Sequence, residues 1–275
     1  MNKTILLTND DGYKSIGFRY LMKQLTDIAD IVAIAPEQPR SAAGLSITVH
    51  KPLRVNKVLS SDNVELYTVT GTTGDCVTIG IFYVLEKYPD LIVSGINVGE
   101  NISLLEFFMS GTVAGAILGA IHGIPSIAFS KREVGRDVLF TEDIKTPYQE
   151  VARCAKIITS YVLDEGLPKG VDLLNVNFPD RIRANTKVRI TRLAKLSLRS
   201  RVIVRKDPRG RPYYWIWGDK FTSFPRGTDA HEIVDMGNIS ITPIILSNLA
   251  YRNIRTIRFQ EMEKYLNQEI MEVIR

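Results

Sequence analysis

Cysteine is nearly absent from this chain. Cys76 and Cys154 are the only two in 275 residues and form no CxxC pair. That excludes a disulfide scaffold and points to a reduced, cytoplasmic setting. Histidine is almost as scarce: His50, His122 and His231 are scattered, so neither an HExxH motif nor a His-rich zinc site can be assembled from sequence neighbours. The apolar run Ile5-Leu6-Leu7 meets Asn9-Asp10-Asp11 too soon to be a signal-peptide core. There is no G-x-G-x-x-G after that run, no G-x-x-x-x-G-K-[ST] and no G-x-S-x-G. A dinucleotide fold of the first type, a P-loop and a hydrolase elbow are therefore unsupported. With 45% hydrophobic and 24% charged residues, disorder, collagen and coiled coil drop out as well.

The net charge is +5 but unevenly placed, with 13 basic and 17 acidic residues in 1–150 against 22 and 13 in the remainder. An acidic half suits cations, and a basic one suits phosphates or acidic surfaces. Residues 107–130 hold no Asp, Glu, Lys or Arg, and Gly111, Gly115, Gly119 and Gly123 recur within them. That spacing resembles a transmembrane packing face. Ser110, Thr112, His122 and Pro125 would cut a span of roughly 20 apolar residues short. The expectation is a core helix lying close on a sheet, and no membrane partner.

Along the chain, residues 4–8 read as a buried strand. A helix follows with Phe18, Leu21, Met22, Leu25 and Ile28 on one stripe, and 31–35 is a strand stopped by Pro36. This β-α-β opening predicts an α/β fold with a mostly parallel sheet. A strand pair is expected at 53–58 and 64–70, helices at 76–86, 112–122 and 147–163, and strands at 91–94, 126–130 and 173–177. After Pro179 the texture becomes basic and β-rich: 201–205 and 213–217 flank Asp207-Pro208-Arg209-Gly210, a turn sequence that predicts a hairpin arm. Residues 254–275 read as helical.

The strongest chemical signal is Asn9-Asp10-Asp11-Gly12 at the end of the first strand, where open α/β sheets bind ligands. Adjacent carboxylates repel unless a cation lies between them, and oxygen donors select Mg²⁺ or Mn²⁺. The alternative is a turn built on Asx side chains with Gly12 at positive φ. Ser41 and the run from Asn97 through Gly99 to Asn101 follow other strands, so they fall on loops around the same crevice. Ser110-Gly111-Thr112 opens the glycine-lined helix, as an anion site or with Ser110 simply as an N-cap. A cation beside a helix N-terminus is what phosphoryl chemistry requires. Ser110, Gly111 and Thr112, with Asn9 and Asn101, are the candidate phosphate-binding residues.

These residues carry a resemblance. Ile5-Leu6-Leu7-Thr8-Asn9-Asp10-Asp11-Gly12, Ala35-Pro36 through Arg40-Ser41, Gly71-Thr72, Asp75-Cys76-Val77, Ser94-Gly95-Ile96-Asn97, Gly99, Asn101, Ser110-Gly111-Thr112-Val113, Asn175-Val176-Asn177-Phe178-Pro179 and Ser240-Ile241-Thr242-Pro243 are similar to the SurE family. Its members are stationary-phase survival proteins, metal-dependent 5′/3′-nucleotidases. The resemblance implies a Rossmann-like three-layer domain over 1–275 with its catalytic core in 1–180. It implies one divalent metal, Mg²⁺ or Mn²⁺, held by Asp10, Asp11, Ser41 and Asn97; Asp10 is also the candidate catalytic residue, as ligand alone or as base or nucleophile. It also implies hydrolysis of nucleoside monophosphates, and a homodimer or homotetramer built with the arm at 195–217 and an exchanged segment at 230–275. Departures from the family's pattern are Thr73-Gly74 for Pro-Ala, Met109 for a common tyrosine, and an acidic Glu100; they bear on substrate preference. The rival activity is a broad-specificity acid phosphatase or polyphosphatase. The rival class is a nucleic-acid binder, since Lys195, Arg199, Arg201, Arg205, Lys206, Arg209 and Arg211 precede Tyr213, Tyr214, Trp215 and Trp217 in a pattern that suits charge and stacking. A subunit interface favours the same residues and is the preferred reading.

Overall fold

The computed structural model describes residues 3–134, 148–250 and 257–274. They fall into two compact units, one ending at Ile244 and the other beginning at Ile245.

The first strand, β1 (Thr4–Thr8), has Ile5, Leu6 and Leu7 fully buried in succession. Such an unalternating apolar run belongs to a strand covered on both faces. Helix α1 (Ile16–Leu25) buries the expected stripe of Phe18, Leu21 and Leu25 and returns the chain to β2 (Asp30–Pro36), parallel to β1. Strands β3 (Val55–Ser61) and β4 (Val64–Val69) form an antiparallel pair, with β4 also parallel to β2. Helix α2 (Thr73–Ile79) begins three residues before the expected 76. A capping box between Thr72 and Asp75 starts it, and a π-helical turn at Gly80–Val84 ends it.

Strand β5 (Leu91–Val98) outruns the expected 91–94 and pairs with β1 on one side and with β6 (Ser126–Lys131) on the other. Asn97 therefore lies in a strand opposite Ser130, not on the loop its Gly-Ile-Asn context suggested. Pairing with β6 resumes past an irregularity between Ser94 and Asn97 and carries the strand onward. Helix α3 (Ser103–Met109) was not expected from the sequence. It is bent by 76° against α4 (Gly111–Ile121), so the uncharged stretch is broken in two. Among the described residues no single helix is long and apolar enough to cross a membrane.

Helix α5 (Tyr148–Glu165) and strand β7 (Leu173–Phe178) follow the expected pattern, Pro147 lying outside the described residues. Strands β8 (Val188–Ile190) and β11 (Ile239–Ile244) were missed. β11 joins β7 antiparallel and brings β8 beside it. The nine-stranded order is β3-β4-β2-β1-β5-β6-β7-β11-β8. One core cluster packs α1 and α5 against the sheet through Phe18, Leu21, Tyr148 and Val151. Another gathers Leu6, Ile34 and Ile92 with Cys76 and Val77 of α2 on the opposite face. These are three layers, as predicted. Strands β9 (Leu198–Lys206) and β10 (Pro212–Lys220) form a separate antiparallel ribbon around the expected turn. In the second unit, α6 (Ile257–Ile274) is the expected helix; residues 254–256 and Arg275 lie outside the described residues.

The chain runs outward from β1 to β2 and β4, then returns to β5 on the other side of β1. Between β1 and β5 the strand order reverses, and the crevice beyond their carboxyl ends is where an open α/β sheet binds ligands.

Candidate functional site

Asp10 and Asp11 lie just past β1, in that crevice. The turn that holds them is real: the Asn9 side-chain amide donates to the Gly12 carbonyl at 3.0 Å, and Gly12 has φ of +87°. The Asx-turn and cation readings are therefore compatible, since the turn presents the carboxylates. The Arg40 N–H donates to the Asp10 carbonyl at 2.8 Å, pinning the loop after β2 onto the same turn. Ser41 is the next residue, exposed, and tied to the cluster through this backbone bond.

Helix α4 closes the crevice from above. Its glycines allow the approach: a Cβ on Gly115 would stand 2.9 Å from Ser94 Oγ, and one on Gly119 would stand 2.4 Å from Ser126 Oγ. A Cβ on Gly111 would lie 2.7 Å from the Asp10 Cβ. Only a glycine lets the first turn of the helix rest on this aspartate. Ser110 is the N-cap, its Oγ accepting from the Val113 N–H at 3.1 Å. Thr112 Oγ1 donates to Asp10 Oδ1 at 2.5 Å and lies 3.4 Å from Asn97 Oδ1. The Asn97 amide nitrogen donates to the Gly99 carbonyl at 2.8 Å, which turns its oxygen toward Thr112.

The electrostatics are those of two acids held close together. Asp10, 4% exposed, has its pKa raised by burial, against the Thr112 hydroxyl and the backbone of Gly111 and Thr112, which favour the charged form. Burial and then the charge of Asp10 push Asp11 up to about 8, against the Val98 N–H that donates to it at 2.9 Å. A bound cation would offset both the burial and the mutual repulsion, because it favours both ionised carboxylates at once. Among the described residues, Thr8 Oγ1 and Asn9 Oδ1 at the end of β1, and Ser94 Oγ opposite Thr8 in β5, are buried without a hydrogen-bond partner. Unpartnered buried oxygens call for an ion or a water. Among the described residues no three His, Cys, Asp or Glu cluster, so a cation here is limited to the acidic pair plus amide and hydroxyl oxygens. That donor set fits a hard ion such as Mg²⁺ or Mn²⁺.

The structure thus brings Asp10, Asp11, Asn97, Gly111 and Thr112 together, with Asn9 and Ser110 supporting them. Asn101 stands apart. Its amide nitrogen donates to Ser130 Oγ at 2.8 Å, its N–H to Asn177 Oδ1 at 2.8 Å, and its carbonyl accepts from Asn175 at 2.9 Å. Asn175 and Asn177 escaped the sequence reading as working residues. The available signal was their alternation, which places both on one face of β7. Thr73, at a family departure, donates to the Asn9 carbonyl at 3.0 Å and holds the turn from below.

A family model described as "Survival protein SurE" matches residues 5–200. The protein called 5′-nucleotidase SurE from Methanococcoides burtonii is 40% identical over 265 residues, covering 96% of this chain and 99% of its own. Its namesake from Methanosarcina barkeri is 39% identical over 269 residues, 97% and 98% of the two chains. Among solved structures, the crystal structure of the Sure protein from Aquifex aeolicus is 37% identical with a TM-score of 0.77. It covers 94% of this chain and 99% of that one.

Proposed function

The chain belongs to the SurE family, and on that premise we propose that it is a 5′-nucleotidase that hydrolyses nucleoside 5′- and 3′-monophosphates with one divalent cation per subunit. The observation that supports this most is the helix N-terminus at Gly111 and Thr112 set against the buried carboxylate of Asp10, with Asp11 beside it.

In this reading Asp10, Asp11, Ser41 and Asn97 would hold Mg²⁺ or Mn²⁺. When bound, such an ion neutralises phosphate charge and lowers the pKa of a water. The chain's own groups do the rest. The positive end of the α4 dipole orients the phosphate and meets the charge that develops on it, and the Gly111 and Thr112 N–H groups would join it only by turning from the Asp10 carboxylate. Ser110 caps the helix with its oxygen lone pair, which leaves its O–H free to donate to a phosphate oxygen. Asp10, oriented by Thr112, is the carboxylate placed to hold the proton of an attacking water. Asn9 and Asn101 would join the phosphate contacts only by giving up their bonds to Gly12 and Ser130. Homodimer or homotetramer assembly through residues 195–217 and 230–275, in a reduced cytoplasm, completes the reading. The cysteines agree with such a setting: Cys76 and Cys154 are both free.

The experiment is phosphate release from 5′-AMP, 3′-AMP and p-nitrophenyl phosphate in EDTA and with Mn²⁺ or Mg²⁺. Metal-dependent release, faster from the nucleotides, is expected. Faster release from the aryl ester would favour the broad phosphatase, and no release with either metal would overturn the reading.

A further inference from the structure

A cavity of about 270 Å³ is lined by none of the residues assigned so far to metal or phosphate. Glu100, from the loop after β5, and Glu106, from α3, line it together with Arg132 beyond β6 and with Phe221 and Phe224 after β10. Its position is fixed by short covalent and hydrogen-bonded links to the catalytic residues. Glu100 is three residues past Asn97. The Glu106 carbonyl accepts the Ser110 N–H at 2.9 Å, so Glu106 lies one helical turn, roughly 6 Å, before the cap. The Gly99 N–H donates to the Lys131 carbonyl at 2.8 Å, bringing Arg132 to the same rim.

The two acids in the cavity are differently engaged. Glu100 is ion-paired with Lys220, which ties the end of β10 to the catalytic loop. Glu106 accepts the Ile102 N–H at 3.2 Å through one oxygen and meets the Ser197 hydroxyl. The guanidinium of Arg132 makes no hydrogen bond or ion pair among the described residues. Phe221 and Phe224 stand edge to face, their ring centroids 6.4 Å apart. An acceptor, a cationic donor and two aromatic rings make up the set that reads a nucleobase: stacking on the rings and hydrogen bonds along one edge. The volume lies near the lower end of ligand pockets, roughly 300–1,000 Å³, which suits a single planar ring system.

We propose that this cavity is the nucleobase subsite of the same active centre, with Phe221 and Phe224 against the ring and Glu106 and Arg132 on its edge. Guanine fits the pair best. Its N1–H and N2–H₂ face a carboxylate, while O6 and N7 accept from a guanidinium. The inference rests on the nucleotidase reading and adds the base to it. Glu100, where the sequence departs from its family, then acts by anchoring Lys220 and with it the aromatic wall.

The test compares GMP with ribose 5-phosphate, which keeps the phosphate and sugar but lacks the base, at pH 8 with Mn²⁺. Burial and the charge of Glu100 raise Glu106 to about 7, so at this pH its carboxylate form predominates. The wild type is expected to show kcat/KM for GMP about tenfold above that for ribose 5-phosphate, the scale of one base–aromatic stack and its edge bonds. In Glu106→Gln, and separately in Thr222→Trp, which places bulk in the cavity, that ratio is expected to fall to within about twofold of unity. Equal wild-type values for the two esters would overturn the subsite and leave the phosphatase chemistry standing. A ratio unchanged in both variants would overturn it too. Turnover of neither ester would sink the nucleotidase reading itself, and this inference with it.

Discussion

The carboxyl of Asp11, pushed up to about 8 by burial and by Asp10, holds its proton more tightly in the folded chain than in the unfolded one. Between about pH 4 and pH 8 the unfolded chain has released that proton and the folded chain retains it, so stability falls as pH rises through this window. A cation needs the ionised form, so its binding strengthens toward pH 8 and releases protons. Thermal melts in EDTA are expected to show Tm falling from pH 5 to pH 8, and Asp11→Asn should flatten that slope. Added Mn²⁺ should raise Tm more at pH 8 than at pH 6; an equal increment at both would remove the cation from this pair. Thr112 acts on the neighbouring acid. Thr112→Val deletes the donor to Asp10 Oδ1 and the contact with Asn97. Its kcat is expected to drop about 10²-fold, the usual cost of one site donor, with Thr112→Ser restoring most of it. Asp10→Asn is expected to leave no metal-dependent turnover while far-UV circular dichroism stays unchanged.

Helix α4 is the element on which the site's precision rests. Alanine is the better helix former by about 1 kcal/mol, yet Gly119→Ala would set a methyl 2.4 Å from Ser126 Oγ and 2.6 Å from Ile92 Cδ1. The crowding is expected to outweigh propensity and destabilise by about 1–3 kcal/mol, read as a lower urea midpoint at unchanged slope. A gain in stability would mean that the helix can lift off the sheet without strain. Because the same helix begins at Gly111 against Asp10, a lifted helix should also lose activity. Much of this element is visible in the sequence: glycines four apart followed by a strand, and a serine at its head. The strand beneath it is not. Asn97 stands between Gly95 and Gly99, a pattern that on its own implies a loop, and its place in β5 comes from pairing with Ser130, a partner thirty-three residues away in the chain.

For the whole molecule, the ribbon β9–β10 raises the question of what covers it. Register alternates its faces: Val202 opposite Ile216 and Val204 opposite Tyr214 on one side, Arg201 opposite Trp217 and Arg205 opposite Tyr213 on the other. The first side is apolar at its centre and exposed there, with Ile216 82% exposed, and ends in Lys206 and Lys220. A lone two-stranded ribbon is marginal in water, and an uncovered apolar strip of this kind marks an interaction surface. This agrees with the subunit-interface reading of the arm. Val202→Lys with Ile216→Lys is expected to yield a smaller species than the wild type by light scattering. An unchanged mass would assign assembly elsewhere, and loss of salt-dependent oligonucleotide binding with mass intact would return the arm to nucleic acid.

The sequence by itself determined the α/β class and the place of the acidic pair. Both rest on short-range rules: apolar runs stopped by Asn9-Asp10-Asp11, amphipathic spacing in α1, and a serine cap on a glycine-rich helix. It also marked the arm, since a proline–glycine turn between alternating strands is local information. Only the tertiary structure decided which oxygens face Asp10, that Asn101 serves Asn175 and Asn177 in a buried amide network, and that β11 and β8 extend the sheet. It alone opened a cavity between Glu106, Arg132 and Phe224. These depend on pairings between segments far apart in the chain, whose registers are set by burial on both faces of a sheet. No periodicity within a single segment records which distant strand it will meet.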